Sequence, residues 1–358
     1  MSNKTPVFFT FLHKRVNWQY VGIVISVLII AFAGYVLYTV LHDLEPREVY
    51  SALRRTPLHA LILAGIFVAA GYFTLTFYDY FALRTIGRAD IPYSVAALAS
   101  FTSYSIGHNI GFSVLSGGAV RYRVYSVSGL SAIEVAKICV VAGLTFWLGN
   151  VAFLGLGLLI DPEAATSIDK LPNNINRAIG AAAIVGLVAY VMWVSLAPRR
   201  IGVGKDKWRV TLPAGKLTVI QIVLGIVDLS CAAAAMYVLM PSSPQIDFVS
   251  LAVIFVSATL LGFASSSPGG LGVFDAAMLI ALMHFDRHSL VRFGKEGVLG
   301  ALLLFRLYYY IVPFALSLAI LGIREFILDL KPVAEKIRKR KIFKPRPRRA
   351  VRLARKKG

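Results

Sequence analysis

The chain is poor in charge, and poorest in acid. Only 16% of its 358 residues are charged, with 18 Asp and Glu against 38 Lys and Arg. A soluble domain carries about 25% charged residues, so an ordinary globular protein is excluded. The 57% hydrophobic content excludes a disordered chain as well. Cysteine is nearly absent: Cys139 and Cys231 each lie inside an apolar run. Two isolated thiols support neither a disulfide framework nor a metal site. Also missing are the GxxxxGK[ST] nucleotide loop, GxSxG, HExxH and CxxC, so no nucleotide hydrolysis, serine-nucleophile or zinc chemistry is signalled. The soluble stretches are too short for a catalytic domain. The chain is therefore expected not to be an enzyme and to carry no cofactor and no metal. Any transport would draw on ion gradients or run passively. Short alternating segments of the β-barrel kind are lacking too.

What is present is apolar sequence in runs of about 20 residues, the length of a transmembrane helix. Val21 to Leu41, Ala60 to Tyr78, Ile138 to Ile160, Ala178 to Pro198, Leu217 to Met240 and Gly297 to Gly322 qualify as six full spans. The first is longer than a signal-peptide core and is expected to stay uncleaved. Two further uncharged stretches, Ile91 to Val120 and Phe248 to Phe274, are rich in Gly and Ser near one end. The expected fold is an all-α polytopic membrane protein.

Direction follows from Lys and Arg in short loops. Lys4, Lys14 and Arg15, the basic loop Arg199 to Lys216, and the tail belong inside. The tail is the main source of the +20 net charge: Lys331 to Gly358 holds 14 bases against the one acid Glu335. Such a segment suits anionic headgroups; specific nucleic-acid binding is not expected. The acidic loop Asp161 to Asn176 and the short loop Pro241 to Asp247 belong outside. With those constraints, Ile91 to Val120 must enter and leave from the cytoplasm, and Phe248 to Leu282 from outside. Both are then re-entrant hairpins. The second breaks at Ser265-Ser-Ser-Pro-Gly-Gly-Leu-Gly272, where Pro and Gly stop a helix. Span, hairpin, span recurs at about 58–160 and 217–322 with opposite direction, an inverted-repeat transporter arrangement. The expected organisation is a cytoplasmic segment 1–19, a transmembrane domain 20–323 and a basic cytoplasmic tail 324–358, in a bacterial inner membrane with both ends cytoplasmic.

Candidate site residues cluster at the breaks. His108, Asn109, Ser116, Gly117, Gly118, Arg121, Arg123 and Tyr125 surround the first. Glycines admit close backbone approach, freed N–H groups attract anions, and arginines grip phosphate with two parallel hydrogen bonds. The same pattern also suits a small-residue packing seam with a positive-inside anchor. His108 reads as a proton site or as a structural histidine. Ser267, Pro268, Gly269 and Gly270 mark the second break, followed by Asp275, which suits a half-helix N-terminus. Asp228 lies about 16 Å into its span and Arg306 about 14 Å into the opposite one, both near the middle of a core about 30 Å thick. Intramembrane charges pair or line polar paths, so the two are expected to share one polar cavity, with Tyr309 beside Arg306 adding a hydroxyl.

Two motifs in order, Asn109-Ile-Gly-Phe-Ser-Val-Leu-Ser-Gly-Gly-Ala-Val-Arg-Tyr-Arg-Val-Tyr125 with Gly129-Leu-Ser131, and Ser267-Pro-Gly-Gly-Leu-Gly-Val-Phe274, resemble the lysylphosphatidylglycerol synthase transmembrane (flippase-domain) family. This is the N-terminal membrane part of the multiple peptide resistance factor MprF. The resemblance implies movement of a phospholipid between leaflets. It places Gly117, Gly118, Arg121, Arg123, Pro268, Gly269 and Gly270 in the family's motif positions. The family's aminoacyl-transfer activity is not expected from these residues, and Asp275 stands where relatives often carry Glu. The expected partners are membrane phospholipids, with a second copy of the chain and a separate lipid-modifying enzyme as further candidates. A proton- or ion-coupled small-solute transporter, or an accessory subunit presenting lipid to a transferase, are the alternative functions.

Overall fold

The computed structural model describes residue 35 and residues 46–110, 113–197, 199–201, 209–241, 246–265, 267–285 and 296–342. The expected first span apart from residue 35, the N-terminal segment, Gly111, Phe112, Ser266 and the end of the basic tail lie outside the described residues. Helices dominate: α1 (Pro46–Arg55), α2 (Leu58–Thr85), α3 (Tyr93–Ile110), α4 (Ser113–Ser126), α5 (Ala132–Ile160), α6 (Pro162–Asp169) and α7 (Asn173–Leu196) come first. Two short strands follow in the basic loop, β1 (Arg200–Ile201) and β2 (Val210–Thr211), paired antiparallel with Arg200 opposite Thr211. Then come α8 (Gly215–Leu239), α9 (Phe248–Ala264), a 3₁₀ turn (Pro268–Gly270), α10 (Val273–Phe285), α11 (Glu296–Phe305), a π-helical turn (Arg306–Ile311) and α12 (Val312–Ile342). The described residues divide into two compact units, up to Leu318 and from Ala319 onward, with the boundary inside α12. In the second unit Arg324 and Glu325 form an ion pair.

Five stretches are long and apolar enough to cross a bilayer: Leu58–Thr85, Ala132–Ile160, Asn173–Leu196, Gly215–Leu239 and Gly297–Ile327. They coincide with the five expected spans that fall in the described region, so the fold is an all-α polytopic membrane protein. Between them stand two pairs of shorter helices, α3–α4 with 18 and 14 residues and α9–α10 with 17 and 13. At 1.5 Å per residue these are about 27, 21, 26 and 20 Å long, all short of a core about 30 Å thick. Within each pair the helices pack on one another. Gly117, early in α4, rests on the carbonyl of Ser103, well before the end of α3, as a chain that doubles back requires. The succession long helix, helix pair, long helix thus occurs twice in the chain.

Local sequence explains where these helices start. Ser131 caps α5: its hydroxyl accepts from the Glu134 N–H at 3.3 Å, and the Ser131 N–H donates to Glu134 Oε2 at 2.8 Å. Asp161 caps α6, with Pro162 in the first turn, and Asp247 caps α9. Both Asp161 and Asp247 also meet the Ser250 hydroxyl. In the loop before α3, the Arg88 guanidinium holds the exposed Asp90 carboxyl below the usual carboxylate range. Ser131→Ala is expected to lower stability by about 1 kcal/mol, the usual worth of an N-cap, read as a small fall in the detergent unfolding midpoint. No fall would remove the cap from the account of how α5 begins.

α2, α5 and α8 form the centre, with α2 and α8 in the most extensive contact. Tyr72, Leu75, Phe255, Phe274, Met278 and Phe305 belong to one buried apolar cluster drawn from α2, α9, α10 and α11, with Phe101 and Tyr104 of α3 packed against it. At the crossing of α5 and α8, Gly149 and Gly225 touch backbone to backbone: a Cβ on either would lie 2.5 Å from the other's Cα. Without an apolar driving force between helices in lipid, such close van der Waals approach of small residues is what holds spans together. α7 is peripheral, only 17% buried over its apolar window, and shows Val185, Met192 and Leu196 outward. An apolar outer face of that kind suits lipid.

Candidate functional site: two adjoining cavities at the helix breaks

The Ser-Pro-Gly-Gly-Leu-Gly break builds the site. Pro268 opens a single 3₁₀ turn, and Gly269, Gly270 and Gly272 take φ of +60°, +63° and +77°. This is the left-handed region that side chains with a Cβ avoid. The chain therefore turns sharply and delivers the first turn of α10, with Asp275, beside Arg306. Arg306 Nε donates to Asp275 Oδ1 at 3.3 Å, and a second guanidinium N–H donates to Oδ2. The third contact, at 3.3 Å, goes to the carbonyl of Gly269. Asp275 Oδ2 also accepts the Gly272 N–H at 3.1 Å, the helix-start role its position suggested.

Arg306 opens a π-helical turn, which disrupts the regular pattern of backbone partners. Two carbonyls in it accept from side chains of other helices. Tyr72 of α2 donates to the Tyr309 carbonyl at 3.0 Å, and Asn109 of α3 donates to the Tyr310 carbonyl at 3.2 Å. α3 also packs directly on the 3₁₀ turn. The end of the first helix pair and the break of the second therefore meet at Asn109, Gly269 and Tyr310.

Two cavities flank that meeting point. The larger, about 690 Å³, is lined by Arg55, Asn109, Pro268, Asp275 and Arg306, among others. The smaller, about 280 Å³, is lined by Tyr104, His108, Asp228, Ser267, Gly270 and Tyr309 together with apolar side chains such as Phe146 and Phe263. Gly269 and Tyr310 border both. Asp228 and Arg306 thus face different cavities rather than one. The turn at Gly269 supplies Arg306 with Asp275 as a nearer partner, while Asp228 points to α2. There Tyr78 donates to Asp228 Oδ2 at 3.3 Å, and Oδ1 has no hydrogen-bond partner.

The residues of the first motif are used differently. Arg121 is buried and makes a two-pronged pair with Asp79 of α2, its Nε and a terminal nitrogen donating to Oδ1 at 3.1 and 2.9 Å. Tyr125 adds a 2.9 Å hydrogen bond to the same carboxylate, and the Arg121 guanidinium lies 4.7 Å over the Tyr104 ring. Gly117 fits between Ser103 and Arg121, and Gly118 lies near Cys139. Ser116, Gly117, Gly118, Arg121, Arg123 and Tyr125 border neither cavity, whereas His108 and Asn109 do. Asp79 was not among the residues singled out in the sequence, because the apolar run was read as ending at Tyr78. The signal was there: Asp79 sits between Tyr78 and Tyr80 with no Gly or Pro nearby, and the helix runs on to Thr85. Among the described residues no group of His, Cys, Asp and Glu could hold a metal ion.

Comparison with known proteins agrees with this architecture. Residues 19–317 match the family described as Lysylphosphatidylglycerol synthase TM region. The uncharacterized protein slr0712 of Synechocystis sp. is 32% identical over 74% of this chain and 80% of its own length. The inner membrane protein YbhN of Escherichia coli is 27% identical over 85% and 90%. The phosphatidylglycerol lysyltransferase of Bacillus subtilis is 25% identical over 75% of this chain but only 30% of its own length.

Proposed function

Because the chain belongs to the lysylphosphatidylglycerol synthase transmembrane family, we propose that it is a lipid translocase of the bacterial inner membrane, moving a phospholipid or related lipid between leaflets without being an enzyme itself. The observation that carries this reading is the pair of cavities separated by Gly269 and Tyr310. Alternating access exposes a site near the midplane, built from broken helices, to one face and then the other, and a thin wall between two cavities suits such a site. Each chamber here joins a few polar groups to apolar walls, as a headgroup with its first acyl carbons requires. Non-helical backbone at that depth is tolerated where it lines a cavity. In this reading the two helix pairs enter from opposite faces, the halves 58–160 and 217–322 are inverted repeats, and both chain ends are cytoplasmic.

The headgroup contacts are assigned to Asn109, Pro268, Gly269 and Arg306 in the larger chamber. In the smaller one they fall to His108, Ser267, Gly270 and Tyr309. Arg121 borders neither chamber and, paired with Asp79, holds α4 to α2 instead. The test is leaflet sidedness in proteoliposomes carrying fluorescent phosphatidylglycerol, read with a membrane-impermeant quencher. Wild type is expected to move the probe faster than empty liposomes. Arg306→Gln should slow it at least tenfold, since the lost charge serves both the Asp275 pair and a passing phosphate. Wild-type rates no higher than those of empty liposomes would sink the proposal.

A further inference from the structure

Asp228 is the one buried carboxylate among the described residues whose second oxygen is left over. It lies near the midpoint of α8 with 5% of its surface exposed. Its Oδ1 meets no donor, and a Cβ built on Gly71 of α2 would stand 3.6 Å from that oxygen. Among the described residues the two buried cations are engaged elsewhere, Arg121 by Asp79 and Arg306 by Asp275. The titratable groups around it are Tyr72 and Tyr78 of α2, Tyr104 and His108 of α3, Tyr309 of the π turn, and Cys231 of its own helix. From α9 and α10 the facing walls are Phe255 and Phe274. His108 stacks on Tyr309, with ring centroids 6.4 Å apart.

A lone ionised carboxylate at the centre of a bilayer carries a large desolvation cost and is seldom left unpaired. A proton removes that cost. A route for the proton exists as well, because Asp228 lines the chamber of about 280 Å³, several times the volume of one water. We propose that Asp228 is a proton-exchange site. It holds a proton while the chamber is closed and gives it up to water when the chamber opens. The O–H bond breaks, its electron pair stays on the carboxylate, and the Tyr78 hydroxyl steadies the anion. If the translocase reading above holds, on which this second step rests, the site couples lipid movement to the proton gradient.

Two readouts separate the site from its use. The first is infrared difference titration of the purified protein in bilayers, following the C=O stretch of the protonated acid. A band that responds reversibly to bulk pH in wild type and Tyr78→Phe, and is missing in Asp228→Asn, is the expected result. Asp228→Glu keeps an acid at this position and supplies the reading where Asp228→Asn does not fold. No band, or a band indifferent to bulk pH, overturns the site. The second readout is movement of fluorescent phosphatidylglycerol in proteoliposomes with an imposed pH gradient. Reversing the gradient should change the wild-type net flux at least tenfold and leave Asp228→Asn unaffected. Equal gradient responses in the two proteins overturn the coupling role. If wild type moves no lipid at all, the translocase reading fails, and the infrared titration still decides the proton site.

Discussion

Asp79→Ala is expected to cost about 3–5 kcal/mol, the usual penalty for removing one partner of a buried ion pair, and to leave little folded protein in detergent. The Asp79 side chain is fully buried and that of Arg121 is 7% exposed, so neither charge has water to fall back on. Without Asp79, Arg121 would keep its charge beside the Tyr104 face with no carboxylate near it. Tyr125 would lose its acceptor at the same time. Arg121→Lys keeps the charge but loses the planar fork that meets both carboxylate oxygens, and should fall between wild type and Asp79→Ala. The double variant Asp79→Leu/Arg121→Met removes both charges and should be closer to wild type than either single deletion, because paired apolar replacement avoids the orphaned ion. A double-mutant cycle on unfolding midpoints reads the coupling directly. Additive single effects would mean that the two groups do not depend on each other, and the clamp between α2 and α4 would have to be abandoned.

Gly149→Ala should be nearly as damaging for a different reason. The new methyl would stand 2.5 Å from the Gly225 Cα and 2.9 Å from its carbonyl carbon, and backbone cannot swing aside as a side chain can. α5 and α8 would have to separate, at a cost of about 3 kcal/mol in the range known for overpacked cores. Gly225→Ala should behave alike. Gly143 and Gly186 serve as internal controls, since a Cβ on either meets nothing within 4 Å. Alanine there should be neutral or stabilise by up to about 1 kcal/mol through helix propensity. Equal unfolding midpoints for Gly149→Ala and Gly143→Ala would contradict the backbone-to-backbone crossing.

The helix breaks show how far one-dimensional reading reaches. Ser267-Pro-Gly-Gly-Leu-Gly272 announced a turn because Pro lacks a donor and Gly tolerates positive φ, and the turn lies there. Asn109 and Gly269 were picked out as neighbours of a ligand, and both border the larger cavity. Arg121 carried the right chemistry for phosphate and spends it on Asp79 instead. The π turn at Arg306–Ile311 had no marker in its own residues, Arg-Leu-Tyr-Tyr-Tyr-Ile. Its carbonyls are satisfied by Tyr72 and Asn109, more than 200 positions away in the chain.

The sequence by itself determined the solvent, the spans and the breaks. Apolar runs of about 20 residues belong in a bilayer wherever else the chain goes, and Pro and Gly act on their own backbone. Tertiary structure alone decided which charges are partners. Opposite charges attract without regard to chain position, so Arg306 could have met Asp228 or Asp275 until the positive φ at Gly269 put Asp275 within reach. Among the described residues that one turn left Asp228 without Arg306 as a partner and set the wall between the two chambers.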